Sequence, residues 1–158
     1  MSDVPALPSL EETLSISGLE FMQGVKEGRL PRAPIADIMN FTLHSVEQGR
    51  VVFRGTPEAQ HCNPMGGVHG GWYGTILDSA LGCVVMTMVP KGRVYTTLEY
   101  KVNITRALRP GTLVECIGIS DHAGRSTAVA HGEIRGVEDS PITGADGNRE
   151  FLIHARKG

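Results

Sequence analysis

Apolar positions recur every third to fourth residue through the middle of this chain and run in short strand-like blocks after it. Val68, Trp72, Ile76, Ala80, Val84 and Met88 form one i,i+4 stripe, with Tyr73, Leu77, Leu81 and Val85 beside it. That spacing predicts one long buried helix over about 68–89, stopped by Pro90 and Gly92. Gly70, Gly71, Gly74 and Gly82 each lower its intrinsic helicity by ~1 kcal/mol. A helix that keeps them is expected to be crowded by neighbouring backbone. Upstream, Leu14, Leu19, Met22 and Val25 suggest a single irregular helix from about Leu10 to Glu27, closed by Gly28, Pro31 and Pro34, with residues 1–10 as a loose arm. Two strands are expected over Ile35–Val46 and Gly49–Gly55, joined at Glu47-Gln48-Gly49, with Val51 and Phe53 on one face and Val52 and Arg54 on the other. Downstream come strand-like runs over 93–106, 112–120, 125–135 and 149–156; the longest connection, from Gly136, ends at Asp146-Gly147. Helix, two strands, one long helix, then four strands predicts an α+β domain over 1–158, an antiparallel sheet wrapped around a central helix.

Composition narrows the partners more than the chemistry. The 158 residues suffice for one domain with a real core, and a net charge of −2 gives no reason to expect nucleic acid or an anionic membrane. No apolar run approaches the ~20 residues that span a bilayer. The opening MSDVPALPSLEET lacks a basic segment followed by an apolar one, so it does not read as a secretory signal. Cys62, Cys83 and Cys116 are odd in number and unpaired in spacing, which suits a reducing cytoplasm.

The chemistry concentrates around one acid. Asp78 is the only charged residue between Glu58 and Lys91, and it sits in the middle of the apolar helix. A carboxylate there is costly unless a group distant in sequence pairs with it or it is a reactive group. The same helix opens on Gly66-Gly67-Val68-His69-Gly70-Gly71. The first N–H groups of a helix lack internal partners and favour negative charge, and glycine permits close approach, so this turn could hold a phosphate or a carbonyl-derived oxyanion. Packing is the competing explanation. Neither GxGxxG nor GK[ST] is present, which argues against a nucleotide loop. Asp78 follows Gly70 by eight residues, about 12 Å along a helix axis. If both act on one substrate, the acid must come from a second subunit.

The string HCNPMGGVHGGWYGTILDSALG resembles the signature of the hotdog-fold acyl-CoA thioesterases, in particular the phenylacetate-degradation and 4-hydroxybenzoyl-CoA thioesterase-like branch. The likeness continues through RVYTTLEYKVNITRALRPG and, more faintly, LEFMQGVKEGRLPRAPIADIMNF and DGNREFLIHA. It implies a hotdog fold and hydrolysis of an acyl-CoA to acid and coenzyme A. It implies no cofactor beyond the coenzyme A of the substrate, and self-association as a homodimer or dimer of dimers. Residue by residue, it implies that the Gly70 N–H polarises the thioester carbonyl and that Asn63 lies near that carbonyl or the attacking water. Asp78 of the partner subunit is then base or nucleophile. Thr97, or Thr96 if the register slips, helps place the thiolate or water. His69 and Gly71 belong to the substrate-side turn, His69 more as its shaper than as a proton carrier, and His61 is structural. Where related proteins often carry an acid in the fifth strand, this chain has His131.

Coenzyme A phosphates would need surface cations. Arg93, Arg106, Arg109 and Arg125 are candidates, the last with Ser126 in a turn after Gly124. Solvated turn charge is the alternative for each. Ser79 lies in L-D-S-A, outside any G-x-S-x-G elbow, and Cys62 beside His61 is a weak nucleophile pair. The six histidines show no HExxH, so no metal is expected. Trp72 and Tyr73 could line an acyl pocket or pack an interface. Two competing functions stay open: an enoyl-thioester hydratase or dehydratase on the same fold, and a non-catalytic acyl-CoA binder.

Overall fold

A computed structural model describes residues 6–137 and the backbone of 148–149 and 153–157. The predicted long helix is α4, Gly70–Met86. Its stripe is as the spacing demands: Trp72, Ile76, Ala80 and Val84 are buried, as are Tyr73, Leu77, Leu81 and Val85. The helix stops at Thr87, whose hydroxyl donates to the Val84 carbonyl at 2.6 Å and accepts the Gly49 N–H at 2.9 Å. Wrapped against α4 is an antiparallel sheet of β1 (Phe41–Glu47), β2 (Arg50–Gly55), β3 (Tyr95–Tyr100), β4 (Val114–Ala123), β5 (Thr127–Gly136), β6 (Asn148–Arg149) and β7 (Ile153–Lys157). Its order is β1-β2-β4-β5-β7-β3, with β6 paired to β5. The α+β expectation, a sheet around one long helix, therefore holds.

Two expectations upstream need correction. The helix expected over 10–27 is two helices, α1 (Leu10–Leu14) and α2 (Gly18–Lys26). Each begins with a capping box, Ser9 with Glu12 and Ser17 with Glu20, in which the serine side chain takes the N3 amide and the glutamate returns to the serine N–H. The two S-x-x-E motifs were the missed signal. The expected strand start at Ile35 is instead a short helix, α3 (Pro34–Ile38), with proline at its first position, where a missing N–H costs nothing. Asn40 then turns the chain at φ 53°, and β1 begins at Phe41. Both faces of β2 are covered: Val51, Val52 and Phe53 are all buried. The run expected over 93–106 is a strand only at 95–100; the connection over 138–147 lies outside the described residues.

The glycines of α4 are crowded, though by side chains. A Cβ at Gly74 would lie 3.2 Å from the Tyr100 hydroxyl, and one at Gly82 would collide with the Tyr95 hydroxyl. Backbone crowding falls on the facing strands, where a Cβ at Gly118 would stand 2.6 Å from the Ala80 carbonyl. Gly82→Ala is therefore expected to destabilise the fold by ~1–3 kcal/mol through overpacking. Adding Tyr95→Phe should recover part of that loss; thermal unfolding of the single and double variants measures it.

Candidate active site

Asp78 lies at the centre of the α4 face that meets β3. Gly74, Asp78 and Gly82 follow one another at i,i+4, and Tyr100, Thr97 and Tyr95 come down on them in antiparallel order. Regular alternation would bring Tyr95, Thr97 and Glu99 to one face. The β3–β7 register shifts between Thr97 and Glu99, and Tyr100 meets the helix instead. Thr97 donates its hydroxyl to Asp78 Oδ1 at 3.1 Å. The structure brings Thr97, and not its exposed neighbour Thr96, to the acid. Asp78 is partly buried, and Oδ2 has no protein donor among the described residues. Its partner is a neutral hydroxyl reached across nineteen positions of sequence.

The carboxylate borders a mostly apolar cavity of about 420 Å³. Phe21, Met22 and Val25 of α2, Ala36 of α3, Phe41 and Leu43 of β1 and Phe53 of β2 form much of its wall, with Ser79, Cys83 and Tyr95 near Asp78. Burial pushes the Cys83 thiol up to about 12, and the Asp78 charge adds to the shift. Burial likewise raises Tyr95 well above the usual phenol range, with the charges of Cys83 and Asp78 contributing. Both side chains are neutral at physiological pH. A thiol at about 12 is ionised to roughly one part in 10⁴ at pH 8, so Cys83 is expected to resist a disulfide reagent until the protein unfolds. Labelling of Cys83 in the native protein within minutes, read by mass spectrometry, would contradict this.

The glycine turn stands at the N-terminal end of α4. An isolated bridge between Cys62 and Val68 closes it, and Gly66 takes φ 81°. Asn63 Oδ1 accepts from the Met65 N–H at 2.9 Å and the Gly67 N–H at 3.2 Å, so the side-chain oxygen builds the turn, and Nδ2 has no protein acceptor among the described residues. His69 is the N-cap: its Nδ1 accepts the Gly71 N–H at 2.9 Å, while its carbonyl takes the Trp72 N–H at 3.0 Å. That leaves the Gly70 N–H as the helix-opening donor with no protein acceptor among the described residues. Gly70 is exposed, with Ile104 Cδ1 3.5 Å from where a Cβ would sit. Gly70 at the start of the helix and Asp78 at its middle are about 12 Å apart along the axis.

The remaining residues fall into place around these. His61 is buried, with Nδ1 accepting from the Glu58 N–H at 2.8 Å and Nε2 2.8 Å from the Ile38 carbonyl, so it has no ring nitrogen left to activate Cys62. Trp72 and Tyr73 are core residues whose polar tips meet the Met39 carbonyl and the Leu108 N–H, both at 2.8 Å. Neither borders the cavity beside Asp78. Arg93 donates to the Arg125 carbonyl at 3.0 Å, which gathers Arg93, Arg125 and exposed Ser126 beyond one end of β3. Arg106 and Arg109 lie beyond the other end. His131 meets exposed Asp121 at 2.7 Å. No cluster of three metal-ligating side chains occurs among the described residues, and no described helix is long and apolar enough to cross a membrane. Sequence reasoning missed Tyr95, Tyr100 and the cavity wall supplied by α2 and α3.

Comparison with known proteins gives this geometry a family. Residues 65–142, which hold α4 and β3 to β5, match the thioesterase superfamily. No curated relative matches the sequence. Among solved structures, a phenylacetic acid degradation-related protein of Ralstonia eutropha JMP134 superposes with a TM-score of 0.74 at 19% identity, over 86% of this chain and 98% of that one. The PaaI protein of the Escherichia coli phenylacetic acid degradation operon gives 0.73 at 17%, over 89% and 95%. A hypothetical thioesterase protein of Streptococcus pneumoniae TIGR4, solved with coenzyme A, gives 0.65 at 23%, over 75% and 86%. At such identities the likeness speaks for the fold, and the sequence match speaks for the family. With the thioesterase-superfamily match over residues 65–142 and the shared fold, the chain is a thioester hydrolase by class, built on the hotdog fold.

Proposed function

We propose that this thioester hydrolase cleaves acyl-CoA to a free acid and coenzyme A at a site shared between two copies of the chain. The observation that carries the reading is the Asp78–Thr97 pair beside an apolar cavity; among the described residues its second oxygen has no donor, and the Gly70 N–H on the same helix has no acceptor. A carbonyl held at one protomer's Gly70 N–H would meet the Asp78 of its partner. Asp78 then draws a proton from water, or attacks the carbonyl itself to give an anhydride that water opens. Thr97 fixes the carboxylate, and Asn63 Nδ2 together with Gly70 offers donors to the developing oxyanion. His69 holds the turn in shape and takes up the Gly71 N–H, which leaves Gly70 as the donor nearest the substrate. Arg93, Arg125 and Ser126 are proposed to meet the coenzyme A phosphates.

Dimerisation is proposed to run through β3. It is one edge of the sheet, it carries exposed Leu98 and Tyr100, and Ile104 lies exposed next to Gly70. An uncovered apolar edge strand is a template for pairing. Further pairing into a dimer of dimers is compatible with this and is read by light scattering. A hydratase would need a histidine beside the acid; the group that reaches Asp78 is Thr97. Thiol release measured across short, long and aryl acyl-CoAs, with enoyl hydration measured in parallel, tests the reaction. Release of thiol without hydration supports it; tight acyl-CoA binding with neither product overturns it.

A further inference from the structure

We propose that α2 and α3 form the specificity wall of an acyl pocket, and that the substrates are acyl-CoAs carrying an uncharged acyl group of medium length. This rests on the site proposed above and adds the direction in which the acyl group runs. The thioester carbon is held at one protomer's helix tip, and the acyl chain passes the partner's Asp78 into the cavity of that partner. The geometry fits. Asp78 borders the cavity at one place, and Phe21, Met22, Val25, Ala36 and Phe53 form apolar wall elsewhere. Among the described residues the one cation bordering it, Arg32, is already ion-paired with Asp37. Such a lining favours hydrocarbon and disfavours a second carboxylate. At a liquid share of ~30 Å³ per water-sized group, the cavity takes on the order of a dozen non-hydrogen atoms. That excludes long acyl chains and leaves acetyl groups poorly held.

The wall is special to the N-terminal third. The two capping boxes set α1 and α2 as separate short helices, and a Cβ at Gly18 would collide with the Met86 carbonyl, so α2 packs tightly against the end of α4. Phe21 and Val25 are one helical turn apart and only partly buried. They are the side chains whose size can be changed with least harm to the core.

The test uses the full-length protein and S-alkyl coenzyme A thioethers, from methyl to hexadecyl, titrated by calorimetry. Wild type is expected to bind about fourfold tighter per added methylene until the pocket is full. Val25→Phe is expected to end that gain several methylenes earlier, and Phe21→Ala to extend it. Kinetic kcat/KM values on the matching acyl-CoA series should move the same way, and circular dichroism shows whether each variant is folded. Affinity independent of alkyl length, or a length limit that both folded variants leave in place, would overturn the proposal. If wild type releases no thiol from any acyl-CoA, the hydrolase reading fails by itself, while the thioether titrations still decide the pocket.

Discussion

Asp78→Ala is expected to lower kcat on the best acyl-CoA by at least ~100-fold, because a positioned base or nucleophile typically contributes 10²–10⁴-fold. The fold should survive. Asp78 is only partly buried, and its bond is to a neutral hydroxyl at 3.1 Å, so removing it orphans no buried charge. Asp78→Asn is the sharper form of the experiment, since the amide oxygen can still accept from Thr97 while the group loses its basicity. If both variants lose turnover and keep the wild-type KM within a few-fold, the carboxylate acts on the transition state and not on binding. Thr97→Val should cost less, about tenfold, since it disturbs the position of the acid and leaves its charge. A variant at Asp78 with near-wild-type turnover would remove this residue from the mechanism.

Gly70→Pro is expected to lower kcat by about 10²–10³-fold, the usual effect of deleting one oxyanion donor. The substitution is unusual in removing an N–H while suiting the local backbone. Gly70 is the first residue of α4, where proline is well tolerated. His69 before it already has φ −65° and ψ 140°, the extended conformation that a following proline requires. Far-ultraviolet circular dichroism should therefore show an intact helix in a protein that turns over slowly.

The two variants together test the shared site. When Asp78→Ala and Gly70→Pro chains are mixed and allowed to reassemble, each heterodimer has one site with both mutations and one with neither. Random reassociation then restores about a quarter of wild-type activity from two nearly inactive proteins. No restoration, in a mixture shown by mass spectrometry to contain heterodimers, would place Gly70 and Asp78 in separate functions. It would leave the single-variant losses standing and overturn only the shared geometry.

Much of this site was legible before any coordinate. The periodicity from Val68 to Met88 gave the long helix because helical spacing is local and a buried stripe repeats it without ambiguity. The solitary charge at Asp78 marked the acid, and helix rise alone separated it from Gly70. The turn before α4 could be read from His69 and its glycines, although Asn63 proved to commit its oxygen to that turn. The short N-terminal helices were also written in the chain, as the two S-x-x-E boxes, and were overlooked because a weak apolar period spans both.

The sequence by itself determined the long helix, the isolated carboxylate upon it and the glycine-rich cap that exposes one amide, since each is set within a few residues. Only the tertiary structure decided that Thr97 and not Thr96 meets Asp78, that Tyr95 and Tyr100 fill the spaces left by Gly82 and Gly74, and that α2 and α3 enclose a cavity at the acid. In a strand, one step of register exchanges the two faces, and the irregularity after Thr97 is fixed by pairing with β7, more than fifty residues away. A cavity is likewise what packing between distant elements leaves unfilled, and no local pattern encodes it.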